Sequence, residues 1–225
     1  MTIADRILYE DNHLIIINKL AGEIVQGDKT GDAPLVDSVK DYLKTTYNKP
    51  GNVFCGLVHR IDRPVSGAVI FAKTSKALAR MNEIVKNREI SKTYLAIVEK
   101  APDIPEQRLT DWLFRNEKLN KTFVSHTEKK GYVKAELSYR TVRQLNNYTV
   151  LEVELYTGRH HQIRAQLAAN GTVIKGDLKY GARRSNPDGS ISLHSYKVAF
   201  EHPVSHQPVE ITAPLFGEMD KLING

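Results

Sequence analysis

The chain has 225 residues, 41% hydrophobic and 26% charged, a composition that allows a sizeable core and excludes a disordered chain. Its 32 lysines and arginines exceed its 26 aspartates and glutamates, and the net charge of +6 weakly indicates a polyanionic partner. The single cysteine excludes an internal disulfide framework and a zinc site built on cysteines.

The first predicted elements are a buried strand and a helix. Residues 14–19 (LIIINK) are a short β-branched run typical of a buried strand. The run is too short for a signal peptide or a membrane span, so we expect a soluble, cytoplasmic protein without membrane association. Pro34 begins a helix whose apolar residues recur at helical spacing between positions 35 and 43. A polar loop is predicted over residues 44–54.

The next stretch combines a turn, a strand and a helix. Residues 56–67 contain proline and glycine and favour a turn, and residues 68–72 favour a strand. Thr74 or Ser75 can cap the following helix. A further strand is predicted at residues 95–98.

The second half of the chain is richer in strands. Residues 101–134 are polar and basic and predict irregular strands or hairpins rather than a separate domain. Alternating apolar residues predict a hairpin of strands 135–141 and 151–155 around Asn146 and Asn147.

The helical period then returns, and the chain ends in a strand and a proline-rich segment. Ile163 and Leu167 lie on one helix face, and Asn170-Gly171 ends that helix. Residues 176–181 predict a loop and residues 193–200 a strand. Strands outnumber helices and pair as hairpins, so the predicted class is α+β with a mostly antiparallel sheet.

Several common chemistries lack support in the sequence. His160 and His161 are adjacent, and adjacent helical side chains point about 100° apart, which is poor chelating geometry. His202 and His206 are separated by a proline, and neither pair has acidic companions, so no metal site is predicted. A phosphate-binding glycine loop and a Gly-x-Ser-x-Gly elbow are both absent, so no cofactor or hydrolase triad is expected.

The most unusual stretch is HRIDR at residues 59–63, which places a carboxylate between cations before a strand. By itself it fits a solvated turn with local ion pairs, each worth about 0–1 kcal/mol, at least as well as an active site. Tyr94 alone would be a core strand residue, and Arg164 alone a surface residue of a helix.

Together with its context, this stretch resembles a known family. Residues 59–67 (HRIDRPVSG) are similar to the H-R-L/I-D-x-x-T/S-S-G motif of RluA-type RNA pseudouridine synthases. Further blocks of that family follow in the same order. They are NKLAG at 18–22, KTY at 92–94, GRHHQIR at 158–164, GDLKYG at 176–181 and LHS at 193–195.

The resemblance covers nearly the whole chain and implies the pseudouridine synthase fold, a mostly antiparallel mixed central sheet flanked by helices and loops. Leu20 replaces a usual proline, Val65 a usual threonine and Gln166 a frequent histidine. The chain starts close to the NKLAG block, so we expect one catalytic domain over residues 1–225, with no S4 domain, that acts as a monomer.

The resemblance assigns the catalytic residues as Asp62, Tyr94 and Arg164. Asp62 is the nucleophile, Arg164 the counter-ion that keeps its carboxylate charged, and Tyr94 stacks on the uracil and is a candidate for the final proton transfer. Whether Asp62 attacks C1′ or abstracts the 2′-proton stays open. The reaction requires no cofactor.

The resemblance also predicts the substrate-binding residues. Arg60 fills the place of the flipped base, Ile163 packs against the uracil, and His59 and Gln162 belong to the same motifs. Basic residues between 115 and 143 are expected to meet RNA backbone. The substrate is a specific uridine in ribosomal or transfer RNA; the alternative is a catalytically silent RNA-binding or ribosome-assembly factor on the same fold.

Overall fold

The computed structural model describes residues 1–27 and 31–225. They form two compact units. The first unit comprises Met1–Ser91 and Ser195–Pro214, and the second Lys92–His194 and Leu215–Gly225. The prediction of one catalytic domain stays a prediction, because compact units of this kind can also be lobes of a single domain.

The first unit is a sheet with two helices. Its elements are β1 (Ile7–Glu10), β2 (Leu14–Lys19), α1 (Leu35–Thr46), β3 (Gly56–Leu57), β4 (Ser66–Ala72), α2 (Ser75–Lys86), most of β10 (Leu193–Glu201) and β11 (Pro208–Thr212). The strand order is β1-β2-β4-β10, with β3 beside β4 and β11 beside β10. The pairings β1·β2, β2·β4, β3·β4 and β10·β11 are antiparallel.

The centre of the first sheet is buried on both faces, which explains the continuous apolar runs. All six residues of β2 are buried, and so are the last six of β4. Leu14 and Ile16 pack with Ile70 and with Met81 of α2 in one cluster. Thr74 caps α2 as predicted, since its hydroxyl accepts a hydrogen bond from the Ala77 N–H.

The second unit is a five-stranded antiparallel sheet with two helices. Its elements are β5 (Ser91–Val98, apart from its first residue), β6 (Glu106–Asn116), β7 (Lys121–Ser125), β8 (Val133–Gln144), β9 (Thr149–Leu155), α3 (Gln162–Ala169), a 3₁₀ turn at Leu178–Tyr180 and α4 (Gly217–Asn224). The strand order is β5-β9-β8-β6-β7, with antiparallel pairing throughout that series.

Most predicted elements are confirmed, and the α+β class with them. Strand β2, helices α1, α2 and α3, and the β8–β9 hairpin lie where the sequence predicted them. The predicted loop at 44–54 begins three residues too early, because α1 continues to Thr46. The hairpin predicted within residues 101–134 is confirmed by the antiparallel pair β6 and β7, but β6 is a regular strand of 11 residues rather than an irregular one. The sequence analysis missed β1, β3, β11 and α4.

Candidate active site

Asp62 lies at the start of a tight turn that leads into β4. Its backbone carbonyl accepts a hydrogen bond from the Val65 N–H at 3.0 Å, which closes the turn around Arg63 and Pro64. Gly67 follows with φ of 111°, and a β-carbon there would lie 2.3 Å from the backbone oxygen of Ser195. Only glycine permits this close approach of two strands, so the turn has a fixed direction.

Lys19, at the end of β2, holds this turn from within the first unit. Its side chain is fully buried. The ammonium donates to the carbonyls of Leu20 at 2.9 Å, Arg63 at 3.1 Å and Val65 at 2.7 Å. An ammonium has three N–H donors, and each one has a carbonyl acceptor here. Lys19 therefore binds the backbone carbonyls on either side of Pro64, within the turn that begins at Asp62.

The environment of Lys19 alters its protonation. Burial lowers the pKa of the ammonium to about 7, and the negative charges of Glu23 and Asp62 oppose that effect by raising it. Glu23 is fixed nearby, because it accepts hydrogen bonds from the Leu20 N–H at 3.0 Å and from the buried Arg6 at 2.7 Å. The charge of Asp62 thus acts on a buried cation that the resemblance did not assign to it.

The other motif residues beside Asp62 differ in their exposure to solvent. The Ile70 N–H donates to Nε2 of the half-buried His59 at 3.2 Å, so the ring anchors the turn to β4 with that nitrogen unprotonated. Arg60 is exposed, and Arg63 is an exposed partner of Asp32 at 2.8 Å. The predicted contacts of His59 and Arg60 with substrate stay predictions.

In the second unit, Arg164 on α3 is paired with Asp177. Its Nε donates to one carboxylate oxygen at 2.7 Å and its Nη2 to the other at 2.9 Å. Both side chains are almost fully buried, at 6% and 1% exposure. Two parallel hydrogen bonds to one carboxylate fix the plane of the guanidinium. The predicted ion pair of Arg164 with Asp62 stays a prediction.

The GDLKYG block explains this arrangement. Gly176 has φ of 88°, and a β-carbon there would lie 2.8 Å from the Asn186 side chain. A glycine is therefore needed to bring Asp177 to Arg164. The Tyr180 ring lies beneath the guanidinium, whose carbon is 5.2 Å from the ring centroid. Block 176–181 thus positions the arginine of block 158–164.

The two adjacent histidines belong to the same cluster, and the expectation that they diverge on a helix is wrong. They precede α3, His161 has φ of 50°, and the two rings stack at 3.8 Å. Burial lowers the pKa of His161 to about 2, helped by the positive charge of Arg164. The Tyr180 hydroxyl lies 3.0 Å from His161 Nδ1 and accepts the Thr122 N–H at 2.8 Å, so it is left to donate to this neutral imidazole.

The remaining predicted residues are buried in the second unit. Gln162 accepts from Thr157 at 2.8 Å and from the Arg159 N–H at 3.0 Å, and its amide nitrogen donates to the Glu136 carbonyl at 3.1 Å. These contacts give it a structural function at the start of α3. Ile163 is buried on α3, and Tyr94 is buried on β5 opposite Val153. Their contacts with uracil, and that of Gln162 with substrate, stay predictions.

Three further residues of the motif blocks had no predicted function: Lys19, Asp177 and Tyr180. Each is a positioning residue for a predicted catalytic side chain or its turn. Lys92 of the KTY block also had no predicted function; its ammonium lies 3.6 Å from where a β-carbon on Gly158 would be, and burial lowers its pKa. The sequence signal that could have identified these residues was their position within the motif blocks of the family.

Two further searches of the structure concern metals and membranes. Among residues 1–27 and 31–225, no group of three or more His, Cys, Asp or Glu side chains is arranged to hold a metal ion. In the same residues, no helix has the length and apolar character needed to cross a membrane.

Comparison with known proteins relates this chain to a family. Residues 13–169 match the family model described as RNA pseudouridylate synthase. Ribosomal large subunit pseudouridine synthase C of Buchnera aphidicola is 32% identical over 99% of the chain and 71% of that relative. An uncharacterised RNA pseudouridine synthase of Bacillus subtilis is 29% identical over 96% of the chain and 71% of its own length.

Solved structures give the same result for the fold. The human protein RNA Pseudouridylate Synthase Domain Containing 4 superposes with a TM-score of 0.82 and 18% identity, over 99% of this chain and 93% of that one. The human Domain Containing 1 protein gives a TM-score of 0.73, with 19% identity over 97% and 93% of the two chains. The predicted pseudouridine synthase fold is confirmed.

Proposed function

The chain belongs to the RNA pseudouridylate synthase family and is an RNA-modifying isomerase. From that premise we propose that it converts specific uridines of structured ribosomal or transfer RNA to pseudouridine, with Asp62 as nucleophile and without a cofactor. Relatives named as ribosomal large subunit synthases favour ribosomal RNA as the substrate to test first.

The observation that carries the proposal is the turn around Asp62. Its backbone is bound by a fully buried ammonium, and its direction is set by a glycine that no other residue can replace without a clash. A surface loop with local ion pairs does not need a buried cation beneath it, because its polar groups are satisfied by water. A turn of this rigidity is expected where a carboxylate must be held against a reacting atom.

The chemistry requires a carboxylate but no redox partner. The bond between N1 of uracil and C1′ breaks with its electron pair on N1, the base rotates, and C5 bonds to C1′. The hydrogen of C5 then leaves as a proton, and N1 takes up a proton. Asp62 either forms a bond to C1′ or removes the 2′-proton, and in both cases it leaves unchanged at the end of the cycle. Oxidation state is conserved, so the balance needs no cofactor.

The other residues then have distinct tasks. Arg164 keeps the carboxylate of Asp62 ionised, Tyr94 stacks on the detached uracil and exchanges the last proton, and Ile163 supplies an apolar wall. Arg60 occupies the space that the flipped uridine leaves in the RNA stack. His59 and Gln162 bind substrate, while their hydrogen bonds to the protein fix the turn and the start of α3.

The test uses RNA labelled with tritium at uridine C5, because pseudouridine formation releases that hydrogen to solvent. Large-subunit ribosomal RNA and a transfer RNA pool are incubated with the wild-type chain, with Asp62→Asn and with Asp37→Asn, a control that removes an exposed carboxylate of α1. We expect Asp62→Asn to lower tritium release by at least about ten-thousandfold and Asp37→Asn to leave it unchanged.

Two outcomes would refute parts of the proposal. Equal release by wild type and Asp62→Asn would remove the nucleophile assignment. RNA binding without release from either RNA pool, and without new pseudouridines on mapping, would favour the silent RNA-binding factor instead.

A further inference from the structure

The β6–β7 hairpin carries a row of aromatic side chains on its outer face. Leu109, Asp111 and Leu113 of β6 are buried, and because strand residues alternate, Trp112 and Phe114 face the opposite way. Trp112 and Phe114 therefore occupy outward-facing positions of β6, where the apolar core does not require aromatic side chains.

The strand register brings more rings to the same face. Phe114 lies directly opposite Phe123 of β7, and direct partners in an antiparallel pair point to the same side. The rings of Phe114 and Tyr132 lie 5.4 Å apart at 31°. Trp112, Phe114, Phe123 and Tyr132 together are called the hairpin face below.

The hairpin face is open to solvent. Phe114 and Phe123 are each 40% exposed, although both are large apolar residues in regular strands. Adjacent exposed rings of this kind lose hydrophobic stabilisation relative to buried ones, and contiguous exposed apolar surface commonly marks a binding site. The fold does not explain their presence, so an occupant is expected.

The charges around the hairpin face favour an anionic occupant. Residues 112–134 contain two glutamates, Glu117 and Glu128, and six basic residues. The basic residues are Arg115, Lys118, Lys121, Lys129, Lys130 and Lys134. The Lys129 ammonium lies 5.1 Å from the centroid of the Tyr132 ring, and Lys134 pairs with Trp112 in the register. Cations that surround flat aromatic rings fit a chain of phosphates and bases.

The inner side of the hairpin is fixed to the Arg164 cluster. The Thr122 N–H donates to the Tyr180 hydroxyl at 2.8 Å, and its hydroxyl donates to the His160 carbonyl at 2.8 Å. Thr122 is buried, whereas its neighbour Phe123 faces outward. The rings are therefore held on a platform anchored to functional motif blocks, which lowers the entropy cost of binding.

We propose that the hairpin face is a stacking surface for unpaired bases of the RNA substrate, with the surrounding lysines on the phosphates. This inference rests on the proposed function, because it takes RNA as the partner. Unpaired bases suit the surface, since they expose the faces that a duplex hides, and stacking on aromatic rings accepts any base. Sequence reasoning predicted phosphate contacts in this region but did not detect the ring surface.

The experiment measures how the protein binds a 12-nucleotide single strand of uridines and a duplex RNA of equal length. Trp112 is the only tryptophan, so its fluorescence reports directly on the hairpin face. We expect quenching by the single strand. The double variants Phe114→Ala/Phe123→Ala and Phe114→Leu/Phe123→Leu should each bind the single strand about tenfold more weakly. The leucine variant keeps apolar volume and so separates stacking from folding.

The salt dependence of RNA affinity separates the contribution of the aromatic rings from that of the lysines. The phenylalanine variants should keep the wild-type slope of log affinity against log salt. The double variant Lys129→Gln/Lys130→Gln should reduce the magnitude of that slope by about 1.4, because it removes two single-strand phosphate contacts worth about 0.7 each. Val142→Ala, which truncates another 40% exposed apolar residue of the second unit, is the matched control and should bind as wild type.

Three results would overturn the inference: unchanged single-strand affinity in both phenylalanine variants, unchanged Trp112 fluorescence on RNA binding, or a wild-type dimer that these variants dissociate without loss of RNA affinity. The last result would make the surface a protein interface. Binding requires no turnover, so failure of tritium release with intact hairpin effects would refute the proposed function alone, and the reverse pattern would refute this inference alone.

Discussion

The two buried cations of the candidate site are held in opposite ways. Lys19 donates to three neutral backbone carbonyls in the first unit, whereas Arg164 forms two parallel hydrogen bonds to one carboxylate, Asp177, in the second. An ammonium is a compact charge with three diverging donors, and it suits a turn that wraps around it. A guanidinium is a flat fork, and it suits a planar acceptor that sets its orientation.

The difference determines what each cation is sensitive to. The acceptors that the structure describes for the Lys19 ammonium are three neutral carbonyls, and burial lowers its pKa to about 7, so it can lose its proton near neutral pH. The guanidinium of Arg164 does not lose its proton in that range, but its burial depends on Asp177. The first region should therefore respond to pH, and the second to removal of one partner.

Of the two cations, Arg164 has the larger expected effect when it is removed. Arg164→Met should lower turnover by at least about a thousandfold with little loss of RNA binding, because the proposed mechanism requires Arg164 to keep Asp62 ionised. It should also lower the free energy of unfolding by about 3–5 kcal/mol, because Asp177 is left buried and unpaired. Tritium release, RNA binding and urea unfolding measure the three quantities.

A double variant separates the two consequences. Arg164→Met/Asp177→Asn removes the unpaired charge, so it should recover most of the lost stability and none of the turnover. Arg140→Met, at an exposed pair with Glu152, is the control and should change neither. Recovery of turnover in the double variant would contradict a chemical function for Arg164 and reduce it to a structural one.

A smaller effect is expected when Lys19 is replaced. Lys19→Met should lower the free energy of unfolding by about 2 kcal/mol, since three carbonyls lose their donor while a buried charge is also removed. Turnover should fall about a hundredfold, because the turn that carries Asp62 loosens.

Lys73→Met provides the matched control, since Lys73 is also a buried lysine of the first unit and pairs with Glu10 at 2.6 Å. It should lose stability but keep its turnover. If both lysine variants reduced turnover equally for the same loss of stability, the specific connection between Lys19 and Asp62 would be wrong.

Over a single pH unit, the smallest expected effect is a pH dependence of stability. The pKa of Lys19 is about 7 in the folded protein and near 10.5 when unfolded, so between these values the unfolded chain binds the extra proton. The penalty for burying the charge is complete below pH 7 and is relieved as the pH rises toward 10.5. Relative to Lys19→Met, wild type should gain about 1 kcal/mol of unfolding free energy per pH unit in this window.

Urea unfolding of both proteins from pH 7 to 10 measures this slope, because the other titrating groups cancel in the difference. The Arg164→Met/Asp177→Asn variant should show the wild-type slope. A slope that is the same with and without Lys19 would assign the titration to another group and remove the contrast between the two cations.

Local patterns predicted much of the secondary structure. The β-branched run of β2, the Thr74 cap of α2 and the Asn170-Gly171 end of α3 were visible because each depends on neighbours within a few residues. The strands β1, β3 and β11 and the helix α4 were missed. They are short, and their conformation depends on pairing or packing with distant chain segments.

The sequence by itself determined the family and the residue types of the candidate site, since ordered motif blocks do not require knowledge of their spatial arrangement. Only the tertiary structure decided which distant residues each block contacts and positions. The acceptors of Lys19 at Arg63 and Val65 lie 44 and 46 positions along the chain, and no local pattern relates them.

The same holds for the stretch HRIDR at 59–63, the sequence's strongest signal. Its histidine accepts a backbone hydrogen bond from β4, and a buried lysine from another block binds the turn around Asp62. The hairpin face likewise exists only because strand register brings Phe114 opposite Phe123. Residue identity specifies what a side chain can do, but the path of the backbone decides which distant group it meets.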